Sequence, residues 1–468
     1  MQDTTKQLGE GKILPLIFKL TIPAVVAQLI TFLYNIVDRM FVAKIGESGM
    51  DALAALGIVL PITLIIQAFS NLIGLGGSPL ASIKLGENNK KEADKIFNTS
   101  FVMLAFVGII VSVITFAFAR PIVVLFGCPE SAVGFATSYL KIYSLGTVFV
   151  LLAQGLNPFI TAQGYSFIAM FSVLIGAIAN IALDPIFIFV FDMGVNGASL
   201  ATIISQFISF VWIISFFFSK KSMFSLRLKD MKPESKRIAG ILLLGLSPFV
   251  MTITECAIQI VFNINLNVST GGDKDYTAAL TVMLSALQLI SLPLNGLGYG
   301  VQPFVSYNYG QGNTQRLSKG IKYVTLIAFI FAVVIWSFSM TFPKVYAYLF
   351  SASDSVTEII QEYTPFFLMG SIMFFVQMTL QNINVALGQA KCSLILAVTR
   401  KVIILIPLCF ALTHFLGFKG VYLSEGIADL TAGVITSIVI FITFPKVYKK
   451  REKALELNKT EQPSENND

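Results

Sequence analysis

Tyr34 and Asp38 stand four residues apart in one apolar run of the chain, and Asn180 and Asp184 repeat that spacing in another. On a helix, residues i and i+4 share a face, so each pair would present its two polar groups together. Thr202 and Tyr139 belong to two further apolar runs. Two carboxyls, an amide and several hydroxyls form an all-oxygen donor set. Such a set suits a hard cation such as Na+, or a pair of acids that share one proton. Pro185 follows Asp184 directly. It has no N–H to give to a helix, so a local break there would leave a carbonyl as an additional acceptor. Arg39 is the competing partner for Asp38, but consecutive helical residues point about 100° apart, which makes that pairing poor.

Other chemistries lack their residues. The chain has one His, His414, and four Cys (Cys128, Cys256, Cys392 and Cys409), none of them in a C-x-x-C pair. A zinc or iron–sulfur site and a disulfide framework are therefore not expected. No G-x-x-x-x-G-K-[ST] occurs, so no ATP-binding P-loop is present to drive work. An intramembrane hydrolase would need a nucleophile beside a base, or a metal, and neither pattern appears. No enzyme activity and no cofactor are expected, and any work done must draw on an ion gradient.

These residues sit in an unusual chain. Of its 468 residues, 55% are apolar and 13% charged, with a mean hydropathy of +0.77. Soluble domains are roughly 25% charged. The composition excludes a soluble enzyme, a disordered protein and a nucleic-acid-binding module. The net charge of +7 resides in loops between apolar runs, as bilayer topology requires. The polar first residues and the long first run lack the features of a cleavable signal peptide.

The apolar runs predict twelve helical spans, over 15–41, 51–80, 96–119, 135–160, 166–191, 196–218, 238–265, 277–303, 321–342, 359–387, 392–414 and 420–444. Each must be a helix, because lipid offers the backbone no other partner. Lys and Arg gather at the N-terminus, in the even-numbered connections and in the tail, which places both termini in the cytoplasm. Within spans the reading finds only Lys19 and Lys141. The longest basic loop divides the chain into 1–218, a linker 219–238, and 239–445. The tail 446–468 reads as a disordered cytoplasmic end.

The two halves repeat. Residues 71–89 (NLIGLGGSPLASIKLGENN) and 295–313 (NGLGYGVQPFVSYNYGQGN) match at an offset of 224 in Asn71/Asn295, Gly74/Gly298, Gly76/Gly300, Pro79/Pro303, Ser82/Ser306, Gly86/Gly310 and Asn89/Asn313. The register extends through Tyr139/Tyr363 and Gly164/Gly388, then slips to 223 at Gly194/Gly417 and Gly197/Gly420. Six spans per copy means parallel repeats about an axis along the membrane normal. Two lobes with a cleft between them, rocking to open one face and then the other, follow from that symmetry. Topology puts Asp38, Asp184 and Thr202 in the outer half of the first lobe, with Tyr139 at similar depth.

The chain resembles the MATE (multidrug and toxic compound extrusion) family. The segments that carry the resemblance are Tyr34-Asn35-Ile36-Val37-Asp38, the stretch 74–89, NIALDP at 180–185, GLSPF at 245–249 and YGVQPFVSYNYG at 299–310. The last two are similar to the MepA-like branch, which exports structurally varied cationic drugs. The resemblance implies an all-α, V-shaped, monomeric antiporter in the plasma membrane of a prokaryote, driven by H+ or Na+. It also implies that Asp38, Asn180, Asp184 and Thr202 form the first lobe's cation site.

Glu255 lies seven residues after Pro248, about two-thirds of the way across span seven by helical rise. Some branches of the family carry a carboxylate there with a second acid in span ten. This chain has Gln377 and Gln381 instead. Glu255 is therefore expected to face the cleft and attract lipophilic cations, the alternative being a protonated acid bonded to span eight through Gln288. Asn157, Gln259, Asn263, Gln288, Gln377 and Gln381 are the expected polar lining. The 41 Phe and 14 Met supply aromatic faces and adaptable surface for such cargo. A lipid-linked oligosaccharide flippase of the same superfamily is the alternative. It would need several cations within the spans to hold pyrophosphate.

Overall fold

A computed structural model describes residues 2–45, 49–232, 234–350 and 352–460. Its regular structure is helical throughout, with no strand among the described residues. Among the described residues, eleven helices are long and apolar enough to cross a bilayer. In order they are Ile13–Val42, Asp51–Gly86, Lys90–Ala117, Glu130–Ala162, Ser166–Val190, Gly194–Phe218, Ser235–Thr270, Lys274–Gln311, Thr314–Thr341, Ala390–Leu416 and Phe418–Ala454. A bent pair, Asp354–Met373 and Phe375–Ala386, folded by 40° at its break, supplies the twelfth. Counted as one span, the bent pair brings the number to the twelve expected. We number them one to twelve in chain order, the bent pair being span ten.

The chain packs as two compact units. The first comprises Ile22–Ala81 and Lys90–Cys256, and the second Lys6–Thr21, Ser82–Asn89 and the chain from Ala257 onward. The break falls inside spans one and seven and near the end of span two. Two close backbone approaches explain why the first half of span seven joins the first unit. A Cβ on Gly245 would collide with the Leu72 carbonyl, and one on Gly76 with the Ile241 carbonyl. Only glycine lets spans two and seven approach this closely.

The segment 222–227, expected as linker, is strapped to the first unit. Asn98 Nδ2 donates to the Ser225 carbonyl at 2.8 Å, and Asn98 Oδ1 accepts from Arg227 N–H at 3.0 Å. Gln163 Oε1 accepts from Met223 N–H at 2.5 Å. Phe224 stacks on Phe97 with ring centroids 5.2 Å apart. Buried amides that match a loop's backbone in this way satisfy groups that would otherwise lose hydration.

In the second unit, side-chain ties run along the eighth span. Thr379 Oγ1 donates to the Leu294 carbonyl at 3.0 Å, and Ser306 Oγ to the Ala386 carbonyl at 2.8 Å. The tail corrects one expectation. From residue 446 it was expected to be disordered, yet the last helix runs Phe418–Thr460. The polar composition misleads because Arg451 anchors the extension, donating to the Tyr309 carbonyl at 2.9 Å and pairing with Glu87 at 2.9 Å. Residues 461–468 of that expected tail lie outside the described residues.

Candidate functional site

Span one carries Asp38 in its last turns and span five carries Asn180 and Asp184 at the close of its α-helical stretch, Ser166–Pro185. The expected break after Pro185 is a π-helical turn over Ile186–Val190. Such turns widen a helix and recur at functional sites. Span four brings Tyr139 and span six brings Thr202. All of these residues lie in the first unit.

Asp184 is fully buried and Asn180 is 3% exposed. Asn180 Nδ2 donates to Asp184 Oδ1 at 3.2 Å. The i, i+4 spacing read from the sequence is thus a real contact. The Asp38 and Asp184 carboxyl groups lie within hydrogen-bonding reach of each other. Two carboxyl oxygens at that range hold together by sharing a proton or by clasping a cation. Asp38 Oδ1, Asn180 Oδ1 and Asp184 Oδ2 are buried and accept no hydrogen bond within the protein. Buried acceptors in this condition are rare and call for an explanation. Three of them, on two helices, form a cradle that an incoming proton or small cation would satisfy.

Tyrosines lie near these acids. The Tyr139 and Thr202 hydroxyls are hydrogen-bonded. Thr202 Oγ1 spends its own proton on the Ala198 carbonyl at 3.0 Å, so Tyr139 is the donor in that contact. Tyr139 stacks against Tyr143, with centroids 6.3 Å apart. Tyr34 sits close enough to Asp38 to feel its charge. Among the described residues no group of three or more His, Cys, Asp or Glu could hold a metal ion. A cradle with only two carboxylates fits a monovalent ion or a proton and is poorly matched to a transition metal.

The expected polar lining divides. Glu255, Asn263 and Gln288 are exposed on their helices and Gln259 is half-buried. Asn157 instead ties span four to span five, with Nδ2 at 2.9 Å from the Ala169 carbonyl and 2.6 Å from Ser172 Oγ. Gln377 and Gln381 are buried, at 1% and 5% exposure. Their amides donate to the Asp429 carbonyl at 2.5 Å and the Ser393 carbonyl at 3.3 Å. These three donors are engaged in helix packing.

The sequence reading missed one cluster. It counted Lys19 and Lys141 as the only cations within spans, but Arg400 and Lys401 lie inside span eleven and are buried. Arg400 pairs with Asp429 at 2.7 Å and with Glu425 at 3.5 Å on span twelve. The signal was available. Glu425 and Asp429 have the same i, i+4 spacing that singled out Asn180 and Asp184. Since Arg400 is neutralised by acids, the cluster does not supply the array of cations that a pyrophosphate cargo would require.

Comparison with known proteins agrees with this architecture. The MatE family model matches the chain twice, over residues 23–186 and 249–411, once in each copy of the repeat. Multidrug export protein MepA of Staphylococcus haemolyticus is 29% identical over 437 residues, covering 92% of this chain and 94% of that one. The protein of the same name from Staphylococcus aureus is 27% identical over 426 residues, covering 90% and 92%. In fold, the chain superposes on the outward-facing conformation of a multidrug resistance MATE family transporter of the MOP superfamily with a TM-score of 0.88. That match is at 23% identity and covers 95% of this chain and 98% of the other. The crystal structure of MATE in complex with MaD3S gives the same score at 23% identity, over 96% and 99%. With twelve spans, a duplicated architecture and a family match over most of its length, this chain belongs to the MATE family of membrane transporters.

Proposed function

We propose that this transporter is a cation-coupled antiporter that exports lipophilic, mostly cationic compounds by alternating access. It would act in the plasma membrane of a prokaryote, with both termini in the cytoplasm. The observation that carries the reading is the contact between the Asp38 and Asp184 carboxyls, with Asn180 holding one of them. A proton or Na+ entering from outside binds this pair and is also contacted by the hydroxyl side of the site, Tyr34, Tyr139 and Thr202. Neutralising the acids changes the packing of spans one, five and six and weakens the hold on cargo, which leaves outward. After the return to the inward-open state the ion departs to the cytoplasm and a new cargo molecule binds. Coupling requires the ion to favour one state over the other by a few kcal/mol.

On the cargo side, Glu255 on span seven supplies the negative charge that attracts a cation. The export of drugs by the staphylococcal relatives, as their names state, supports the same cargo class.

The deciding experiment is ethidium transport in proteoliposomes under a pure pH gradient and, separately, a pure Na+ gradient. One of the two gradients is expected to drive transport, and Asp38→Asn with Asp184→Asn is expected to abolish it. Undiminished gradient-driven transport by the double variant would end this reading.

A further inference from the structure

Spans eleven and twelve of the second unit bury four ionisable side chains at similar depth: Arg400 and Lys401 on the first, Glu425 and Asp429 on the second. None is more than 6% exposed. By helical rise Arg400 lies roughly 15 Å along span eleven and Asp429 roughly 16 Å along span twelve, near the middle of a bilayer core of about 30 Å.

The contacts are specific. Arg400 Nε and Nη2 both reach Asp429 Oδ1 at 2.7 Å, while Nη2 lies 3.5 Å from Glu425 Oε1. The guanidinium covers the Phe374 ring, 5.2 Å from its centroid. Gln377 donates to the Asp429 carbonyl, and its Oε1 is buried and accepts no hydrogen bond. Span eleven becomes π-helical over Thr399–Leu405, starting at these cations. The first unit likewise places a π-turn directly after Pro185, the residue that follows Asp184.

A buried ion pair is seldom more stabilising than an apolar set of the same volume, and ionisable groups at bilayer depth are functional by default. The repeat sharpens the point. The offset of 223 that relates Gly197 to Gly420 also pairs Thr202 with Glu425. The second copy therefore has an acid where the first has a hydroxyl of the ion cradle.

The two acids differ in role. Asp429 receives both short Arg400 contacts and is its fixed counter-ion. Glu425, one turn earlier, lies at longer range. Protonating Glu425 leaves the Arg400–Asp429 pair whole, whereas protonating Asp429 would break it. Arg400 and Cys409 on span eleven lie beside Glu425, with Lys401 next to Arg400 in the chain and Asp429 one turn further along Glu425's own helix. Span ten contributes Phe374, which meets Arg400, and Gln377, which meets the Asp429 carbonyl; neither titrates.

We propose that Glu425 is a second proton-binding site, loaded and unloaded while Arg400 and Asp429 stay paired. The proposal rests on the ion-coupled reading above. The proton comes from water and returns to water, and only the carboxyl O–H bond forms and breaks.

Infrared difference spectra of the full protein in lipid, stepped from acidic to alkaline pH, report protonated carboxyls directly. Glu425→Gln is expected to lose one carboxyl C=O band that the Asp38→Asn, Asp184→Asn double variant retains. It is also expected to slow pH-driven ethidium efflux by at least about fivefold, the lower end of common coupling factors, with its thermal unfolding midpoint unchanged. An unchanged band pattern in Glu425→Gln, or efflux at the wild-type rate, overturns the proposal. The band is read without transport, so its loss stands even where the double variant still transports, and the two readings fail separately. A triple replacement, Arg400→Met with Glu425→Leu and Asp429→Leu, adds a second check. Wild-type efflux from it would reduce the cluster to packing and overturn the proposal, whereas correct insertion with lost pH-driven efflux supports it.

Discussion

Asp38 and Asp184 reach each other from separate helices, span one and span five, and their carboxyl groups come within hydrogen-bonding distance. That contact concentrates negative charge where the bilayer least tolerates it. Replacing either acid by Asn keeps the shape and removes the charge. Ion-driven dye uptake into inverted vesicles is expected to fall between about 5- and 150-fold in each single variant, the usual span of coupling factors. The unfolding midpoint should hold or rise, since each variant buries one charge fewer. Wild-type uptake in either single variant contradicts this assignment.

Asn180 acts through Asp184. Its Nδ2 donates to Asp184 Oδ1, and both side chains are almost fully buried. Asn180→Ala leaves a buried carboxylate oxygen without that donor, at a cost of about 1–3 kcal/mol. A lower unfolding midpoint is expected, together with a weaker apparent affinity for the driving ion. Saturating ion should restore much of the rate in Asn180→Ala, because the acids remain, but should not in Asp184→Asn. Equal behaviour of the two variants across an ion titration argues against the positioning role.

Much of this arrangement was legible in the chain itself. Spans follow from apolar length, and the repeat from a register held between Asn71/Asn295 and Gly164/Gly388. The Asn180–Asp184 contact follows from helical spacing alone. What was hidden depends on partners distant in sequence. Arg400 and Lys401 fall inside the expected span 392–414, but the chain alone does not show that Arg400 meets Asp429 and Glu425 on the next span. Gln377 and Asn157 read as lining because a polar group in an apolar run gives no sign of which carbonyl it meets. The helical extension to Thr460 depends on where Arg451 finds the Tyr309 carbonyl.

Gly245 and Gly57 separate two meanings of glycine. A Cβ on Gly245 would strike the Leu72 carbonyl, whereas one on Gly57 meets nothing within 4 Å. Gly245→Ala must push spans two and seven apart, at a cost of about 1–3 kcal/mol for overpacking. Gly57→Ala should gain about 0.5–1 kcal/mol, from the lower entropy cost of ordering alanine in a helix. Thermal unfolding in detergent should therefore shift down for the first and up for the second. A Gly245→Ala protein as stable as the parent would show that the helices do not depend on this approach.

Arg451 is the anchor of the last helix beyond the membrane. Its Nε donates to the Tyr309 carbonyl at 2.9 Å, its Nη2 reaches the Gly310 carbonyl and Glu87, and its guanidinium lies 5.4 Å from the Tyr309 ring centroid. Tyr309 and Gly310 lie in the last turn of span eight, where helical donors run out, although the Tyr309 carbonyl also accepts from Gly312 N–H at 3.1 Å. Arg451→Ala removes those donors and is expected to cost about 1–3 kcal/mol. Arg451→Lys keeps the charge but cannot supply the planar fork that serves two carbonyls and a carboxylate together. It should recover only part of the loss, because the half-buried ion pair with Glu87 is one of several contacts that the guanidinium makes. Full recovery by lysine would mean that charge, rather than the fork of donors, holds the extension in place. Unfolding midpoints of the two variants, measured at low and high salt, distinguish these cases, because screening weakens the ion pair and leaves the carbonyl contacts largely intact.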